Sequence, residues 1–173
     1  VCAVRGNFDD AQTSVKNIFA AAVDGKLPGG NRCRLSTANS INIGRLAPQI
    51  TYYFKAYADL LARGQIKMGD KVNFCVPTGN FGDILAGWLA KQLGLPVGRL
   101  ICASNANNVL TDFLHTGTYD RRRPLHKTAS PSMDILVSSN LERLLYFLSR
   151  DTNLVASLMK QLNTEGFYTV PAE

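Results

Sequence analysis

The stretch best equipped for chemistry is Val72 to Ala90, VNFCVPTGNFGDILAGWLA, where an apolar β-like run meets a loop with two glycines and then an amphipathic helical pattern. Val72, Phe74, Cys75 and Val76 supply β-branched and aromatic bulk, Pro77 ends the strand, and Thr78-Gly79-Asn80-Phe81-Gly82 makes the turn. The first N–H groups of a helix lack intrahelical partners and sit at the positive end of its dipole, so a glycine loop feeding a helix is a ready cradle for an anion, above all phosphate. By pattern alone two readings stand: an anion cradle, and a connection that uses glycine only to turn.

Other chemistries lack their residues. His115 and His126 are the only histidines, with no His-x-x-x-His spacing or carboxylate pair around them, which argues against a metal centre or a triad and makes them exposed loop residues. Ser130, Ser132, Ser138 and Ser139 lie outside any Gly-x-Ser-x-Gly elbow, which argues against acyl hydrolysis. Cys2, Cys33, Cys75 and Cys102 are widely spaced, form no Cys-x-x-Cys pair, and are expected as buried, reduced thiols in a reducing compartment. The remaining equipment is an anion cradle, several amides and hydroxyls, and a few arginines. It suits binding and orienting a phosphorylated cofactor better than unaided bond cleavage.

The elements that must position the loop alternate along the chain. Phe8-Asp9-Asp10 opens a helix with Val15, Ile18, Phe19 and Ala22 at helical spacing, stopped at Asp24-Gly25. A strand-like run from Arg32 to Thr37 leads through the small polar residues Ala38 to Asn42 into a long helical stripe, Ile41 to Arg63, which Pro48 must kink or divide. The strand from Val72 follows, with its helix running to Leu93 and stopped by Gly94. Arg99 to Ala103 reads as a buried strand, Ser104 to Asn108 as a polar strand-end loop, and Val109 to Leu114 as a helix. Thr116 to Thr128 reads as irregular and basic, and Met133 to Val137 as a short strand. Ser139-Asn140 reads as a helix cap, and Asp151 to Leu162 as the final helix. This order predicts a single α/β domain over residues 1–173, with an open, mainly parallel sheet and helices on both faces, whose strand-end loops converge on one edge.

With 173 residues, 46% of them hydrophobic, the chain has material for one sizeable core. The net charge of +6 comes from scattered basic residues apart from Arg121-Arg122-Arg123, a solvated basic loop, and no RNA-binding aromatic signature accompanies them, so nucleic acid is not an expected partner. No apolar run is long enough for a membrane span and the amino end, VCAVRGNFDD, has no signal-peptide layout, so a cytoplasmic location is expected.

Several motifs in order carry a family likeness. Pro77-Thr78-Gly79-Asn80-Phe81-Gly82-Asp83, with Ala86-Gly87, Ala90-Lys91 and Gly94-Leu95-Pro96 behind it, resembles the cofactor-phosphate loop of threonine synthase, a fold type II pyridoxal-phosphate enzyme. Gly6 to Gln12, Asn39 to Arg45 with Gln49 and Tyr52-Tyr53-Phe54, and Ser130 to Ile135 leading to Ser139-Asn140-Leu141-Glu142-Arg143 resemble the same family in the same order.

The resemblance implies the large-domain portion of that fold, a pyridoxal 5'-phosphate cofactor, and a parent lyase that converts O-phospho-L-homoserine and water into L-threonine and phosphate. It implies that Gly79, Asn80, Phe81 and Gly82 hold the cofactor phosphate through backbone N–H groups, with side-chain contacts from Thr78 and Asn80, and that Ser40, Asn42, Arg45, Asn105 and Asn107 lie on the substrate side. The loop around Ala106 and Asn108 departs from the family pattern, which more often has an acidic residue or valine and then aspartate. No lysine from Lys16 to Lys160 stands in the family's Phe-Lys-Asp setting. The chain therefore reads as an internal piece with no catalytic residue of its own, its Schiff-base lysine expected upstream of Val1, inactive alone and prone to self-association. The competing expectation is a non-catalytic phosphate-ligand-binding or interaction domain derived from such an enzyme.

Overall fold

The computed structural model describes residues 5–6, 8–22, 35–40 and 42–171. Helix α1 spans Phe8–Ala21, and its Ile18 and Phe19 are exposed. The expected stop at Asp24-Gly25 lies outside the described residues. So does the start of the expected strand at Arg32, and residues 35–38 are irregular rather than extended in a sheet. Pro48 acts as its chemistry requires: α2 (Ile43–Leu46) passes through a 3-10 turn (Ala47–Gln49) into α3 (Ile50–Ala62).

Strand β1 (Val72–Pro77) feeds α4 (Gly82–Gln92), and the chain returns as β2 (Val97–Ala103), parallel to β1 with Val76 opposite Cys102 and Pro77 opposite Ala103. Gly94, at φ 97, makes the left-handed turn between α4 and β2. Ile84, Leu85, Ala86 and Ala90 of α4 are buried with Tyr53 and Tyr57 of α3 and with Val76 and Val97 of the sheet. Alternate strand positions, Asn73, Cys75, Arg99 and Ile101, are exposed. Cys75 is thus not the buried thiol its apolar neighbours indicated, because it falls on the open face of the strand pair; Cys102 is partly buried, and Cys2 and Cys33 lie outside the described residues.

After α5 (Val109–Thr116), the stretch expected to be irregular contains β3 (Thr118–Asp120), antiparallel to β4 (Phe167–Thr169). Two three-residue strands give no periodicity to read; they are held by side chains. Tyr119 and Tyr168 stack at 5.4 Å, and Phe113 meets both edge-on. The arginine triplet is likewise more than a solvated loop. Arg122 pairs with Asp120 at 2.8 Å and lies over the Phe167 ring, and Arg123 pairs with Asp112 at 2.7 Å.

Helices α6 (Leu141–Ser149) and α7 (Thr152–Thr164) complete the order, the second capped by Asp151, whose carboxylate accepts from the N–H groups of Asn153 and Leu154. Asn140 stands at the cap position of α6 but makes no side-chain cap bond. Met133 to Val137 is not a strand; a 3-10 turn (Pro131–Met133) and a bend occupy it. His115 lies in the last turn of α5 and His126 in a loop, both exposed. No helix among the described residues is long and apolar enough to cross a membrane, and no metal-binding cluster occurs among them.

Candidate functional site

Strand β1 ends with Pro77, and Thr78 closes it. The Thr78 N–H donates to the Ala103 carbonyl at 2.8 Å and its hydroxyl donates to the Val76 carbonyl at 2.7 Å. Both Thr78 donors are therefore committed to the strand end. The turn into α4 is made by Phe81, at φ 63 and ψ 8, rather than by a glycine. Gly79 and Gly82 serve close approach instead. A Cβ on Gly79 would lie 3.0 Å from Ile135 Cδ1, and one on Gly82 would lie 3.0 Å from Ser40 Cβ. Of the two readings open in the sequence, a connection that uses glycine only to turn does not describe Gly79 and Gly82.

A cavity of about 210 Å³ opens at this helix start, lined by residues 77–84 together with Ser40, Gln49, Ser132 and Met133. The N–H groups of Gly79, Asn80, Phe81 and Gly82 donate to no acceptor among the described residues. Unpaired backbone donors beside a buried wall are costly unless a ligand or water meets them. Asn80 adds a buried side-chain oxygen without a partner among the described residues, and a half-turn of that carboxamide would put its NH₂ donors there. Four successive N–H groups at the positive end of α4 fit a phosphate group. Among the described residues the only charged one in the lining is Asp83, whose Oδ1 accepts from the Tyr53 hydroxyl at 3.1 Å. Burial, together with that carboxylate, holds the Tyr53 phenol far above its usual range, so it stays a donor.

Thr78, Gly79, Asn80, Phe81, Gly82 and Ser40 are brought together in this lining; Asn42, Arg45, Asn105 and Asn107 are not. Asn42 caps α2, its Oδ1 accepting from the Gly44 N–H at 2.9 Å and its Nδ2 donating to the Thr37 carbonyl at 3.0 Å. Arg45 is exposed in the last turn of α2. The Asn105 and Asn107 side chains donate to Asp134 Oδ1 at 2.8 and 3.2 Å, which makes them braces of the fold.

No family model matches the chain. "Threonine synthase-like 1" of Homo sapiens is 48% identical over 170 residues, 96% of this chain and 23% of that protein. The PLP-bound threonine synthase from Brucella melitensis superposes with a TM-score of 0.75 at 42% identity, over 98% of this chain and 34% of that one. The yeast threonine synthase superposes with a TM-score of 0.77 at 40% identity, over 96% and 33%. This chain is homologous to a segment of threonine synthase. It spans about a quarter to a third of the length of these relatives.

In this chain Gln49, Ser132 and Met133 join the lining, and Ser138 and Asn140 bond the loop from outside it; the sequence assigned none of them a part in the site, and Asn140 only a helix cap. Gln49, Ser132, Met133 and Asn140 were signalled only by membership of motifs that resemble the family, and Ser138 by nothing in the sequence. Asp134 shows why the 130–140 region is irregular. Its Oδ2 accepts from the Thr128 N–H at 2.9 Å and its Oδ1 from the Thr128 hydroxyl at 2.7 Å and from both asparagines, tying three loops to one carboxylate.

The Thr128 N–H bond, foremost among these, lowers the Asp134 pKa below the usual carboxylate value. A group depressed on folding stabilises the fold above its unfolded pKa of about 4 and loses that contribution as pH falls through the folded value. Urea midpoints of the wild type should decline as the pH drops from about 5 towards 2. Asp134→Asn should start lower at neutral pH, because it brings an NH₂ group against these donors, and should decline less; parallel profiles would refute the assignment.

Proposed function

We propose that this chain forms the cofactor-phosphate site of a pyridoxal 5'-phosphate-dependent threonine synthase, a lyase that makes L-threonine and phosphate from O-phospho-L-homoserine and water. The observation that carries the reading is the row of undonated N–H groups from Gly79 to Gly82 facing a cavity at the α4 N-terminus. The cofactor, when bound, supplies an electron sink for carbanion chemistry. The chain's own part is to grip and orient. The N–H row holds the phosphate end, Asn80 adds its carboxamide, and Thr78 keeps the strand end rigid behind it. Ser40 stands at the rim as the substrate-side candidate. Asn42, Asn105 and Asn107 act as braces of the surrounding loops, and Arg45 stays exposed on α2.

Among the described residues no lysine lines the cavity, so those that do bind without supplying the amine that covalent catalysis of this type needs. The test is a titration of ¹⁵N-labelled chain with inorganic phosphate and with pyridoxal 5'-phosphate. Saturable shifts of the Gly79 to Gly82 amides are expected, together with background phosphate release from O-phospho-L-homoserine. Silent amides would refute the site, and turnover would refute the binding-only role.

A further inference from the structure

Outside the lining of the cavity, two residues of the 138–140 segment, Ser138 and Asn140, meet the loop. Ser138 is buried and its hydroxyl donates to the Gly79 carbonyl at 2.5 Å. Asn140 is 0% exposed, and both its backbone N–H and its Nδ2 donate to the Asn80 carbonyl at 3.1 Å. The same Nδ2 donates to Ser40 Oγ at 2.9 Å, and Arg143 donates to Asn140 Oδ1 and, at 2.7 Å, to the Ser40 carbonyl. The segment is itself anchored. The Ser138 N–H donates to the Tyr119 hydroxyl at 2.8 Å, and that hydroxyl donates to the Leu136 carbonyl at 2.8 Å.

A trans peptide is planar, with its C=O and N–H pointing in opposite directions. No cis peptide bond occurs among the described residues. Fixing the Gly79 carbonyl therefore fixes the Asn80 N–H, and fixing the Asn80 carbonyl fixes the Phe81 N–H. Each is turned away from the 138–140 segment, which does not line the cavity, while Asn80 and Phe81 do. We propose that Ser138 and Asn140 are positioning residues for anion binding: Ser138 aims the Asn80 N–H and Asn140 aims the Phe81 N–H, so that the cradle is set before its ligand arrives. This explains why a fully buried asparagine stands at the start of α6 without capping it. Its amide is spent on the neighbouring loop.

The proposal rests on the anion-binding reading above, and the test separates the two. The 173-residue chain and its Ser138→Ala, Ser138→Thr and Asn140→Asp variants are titrated with inorganic phosphate, following individual amide resonances, with thermal melts alongside. Ser138→Ala should weaken phosphate binding about tenfold, the scale of one hydrogen bond, and should reduce the phosphate-induced shift of Asn80 more than that of Phe81. Asn140→Asp puts an oxygen where Nδ2 donated and should reverse that order. Ser138→Thr, which keeps the hydroxyl, should restore both affinity and the Asn80 shift. If the wild type binds phosphate while the variants bind equally well, or lose both amide shifts to the same degree, the positioning role is overturned and the cradle stands. If the wild type does not bind at all, both are overturned. Leu162→Ala, in the core far from the loop in sequence, controls for lost stability and should leave the Asn80 to Phe81 shift ratio unchanged.

Discussion

Gly87→Ala is expected to destabilise the chain by about 2 kcal/mol, although alanine is the better helix former by up to about 1 kcal/mol. A Cβ at this position would lie 2.6 Å from Tyr53 Cε1 and Cζ and 2.9 Å from its hydroxyl. The ring has no room to retreat. It is 4% exposed, packs edge-on against Phe74 at 5.0 Å, and donates from its hydroxyl to the Asp83 carbonyl at 2.8 Å. The methyl must therefore push α3 from α4, and with it the first turn of α4 that Tyr53 holds. Urea unfolding measures the loss. Tyr53→Leu should remove most of the conflict, so the double variant should lose less than the sum of the single ones. A Gly87→Ala chain more stable than the wild type would mean that helix propensity alone governs the position.

What could be read from sequence follows the range over which each cause acts. Pro48 divides its helix through one missing donor and one steric clash, both local, and Gly94 ends α4 through its own backbone freedom. The strand-loop-helix around Gly79 and Gly82 was legible for similar reasons, as was its place in a parallel α/β fold. The function of those glycines was not, because their need comes from Ile135 and Ser40, distant in sequence. Strands β3 and β4 escaped notice since Tyr119 and Tyr168 are 49 positions apart and act through stacking. The apolar run at Met133 to Val137 resembled a strand because nothing local says that Asp134 will gather donors from Asn105, Asn107 and Thr128. Those two asparagines, polar and at a strand end, looked like ligand groups for the same reason. Asparagine type fixes what a side chain can bond, and tertiary placement decides which partner it finds.

Phe81 should give an inverted order of substitutions. Its ring is 5% exposed, so Phe81→Ala is expected to cost about 3 to 4 kcal/mol from lost packing and the resulting cavity. Phe81→Gly deletes the same ring, yet at φ 63 glycine avoids the left-handed strain that alanine keeps, so it should be about 1 kcal/mol more stable than the alanine variant. At a right-handed helical position the order is the reverse. Chemical denaturation of the two variants therefore reads the backbone conformation directly, and an alanine variant more stable than the glycine one would rule out the left-handed turn. Phosphate binding should not follow stability across this pair. Phenylalanine packs its ring into the core and thereby holds an otherwise disfavoured backbone that turns successive N–H groups toward one cavity. Glycine accepts that conformation without being confined to it, so the more stable variant should still bind phosphate more weakly than the wild type. The cradle depends on a backbone that is held, and here a buried aromatic ring does the holding where sequence reasoning expected glycine.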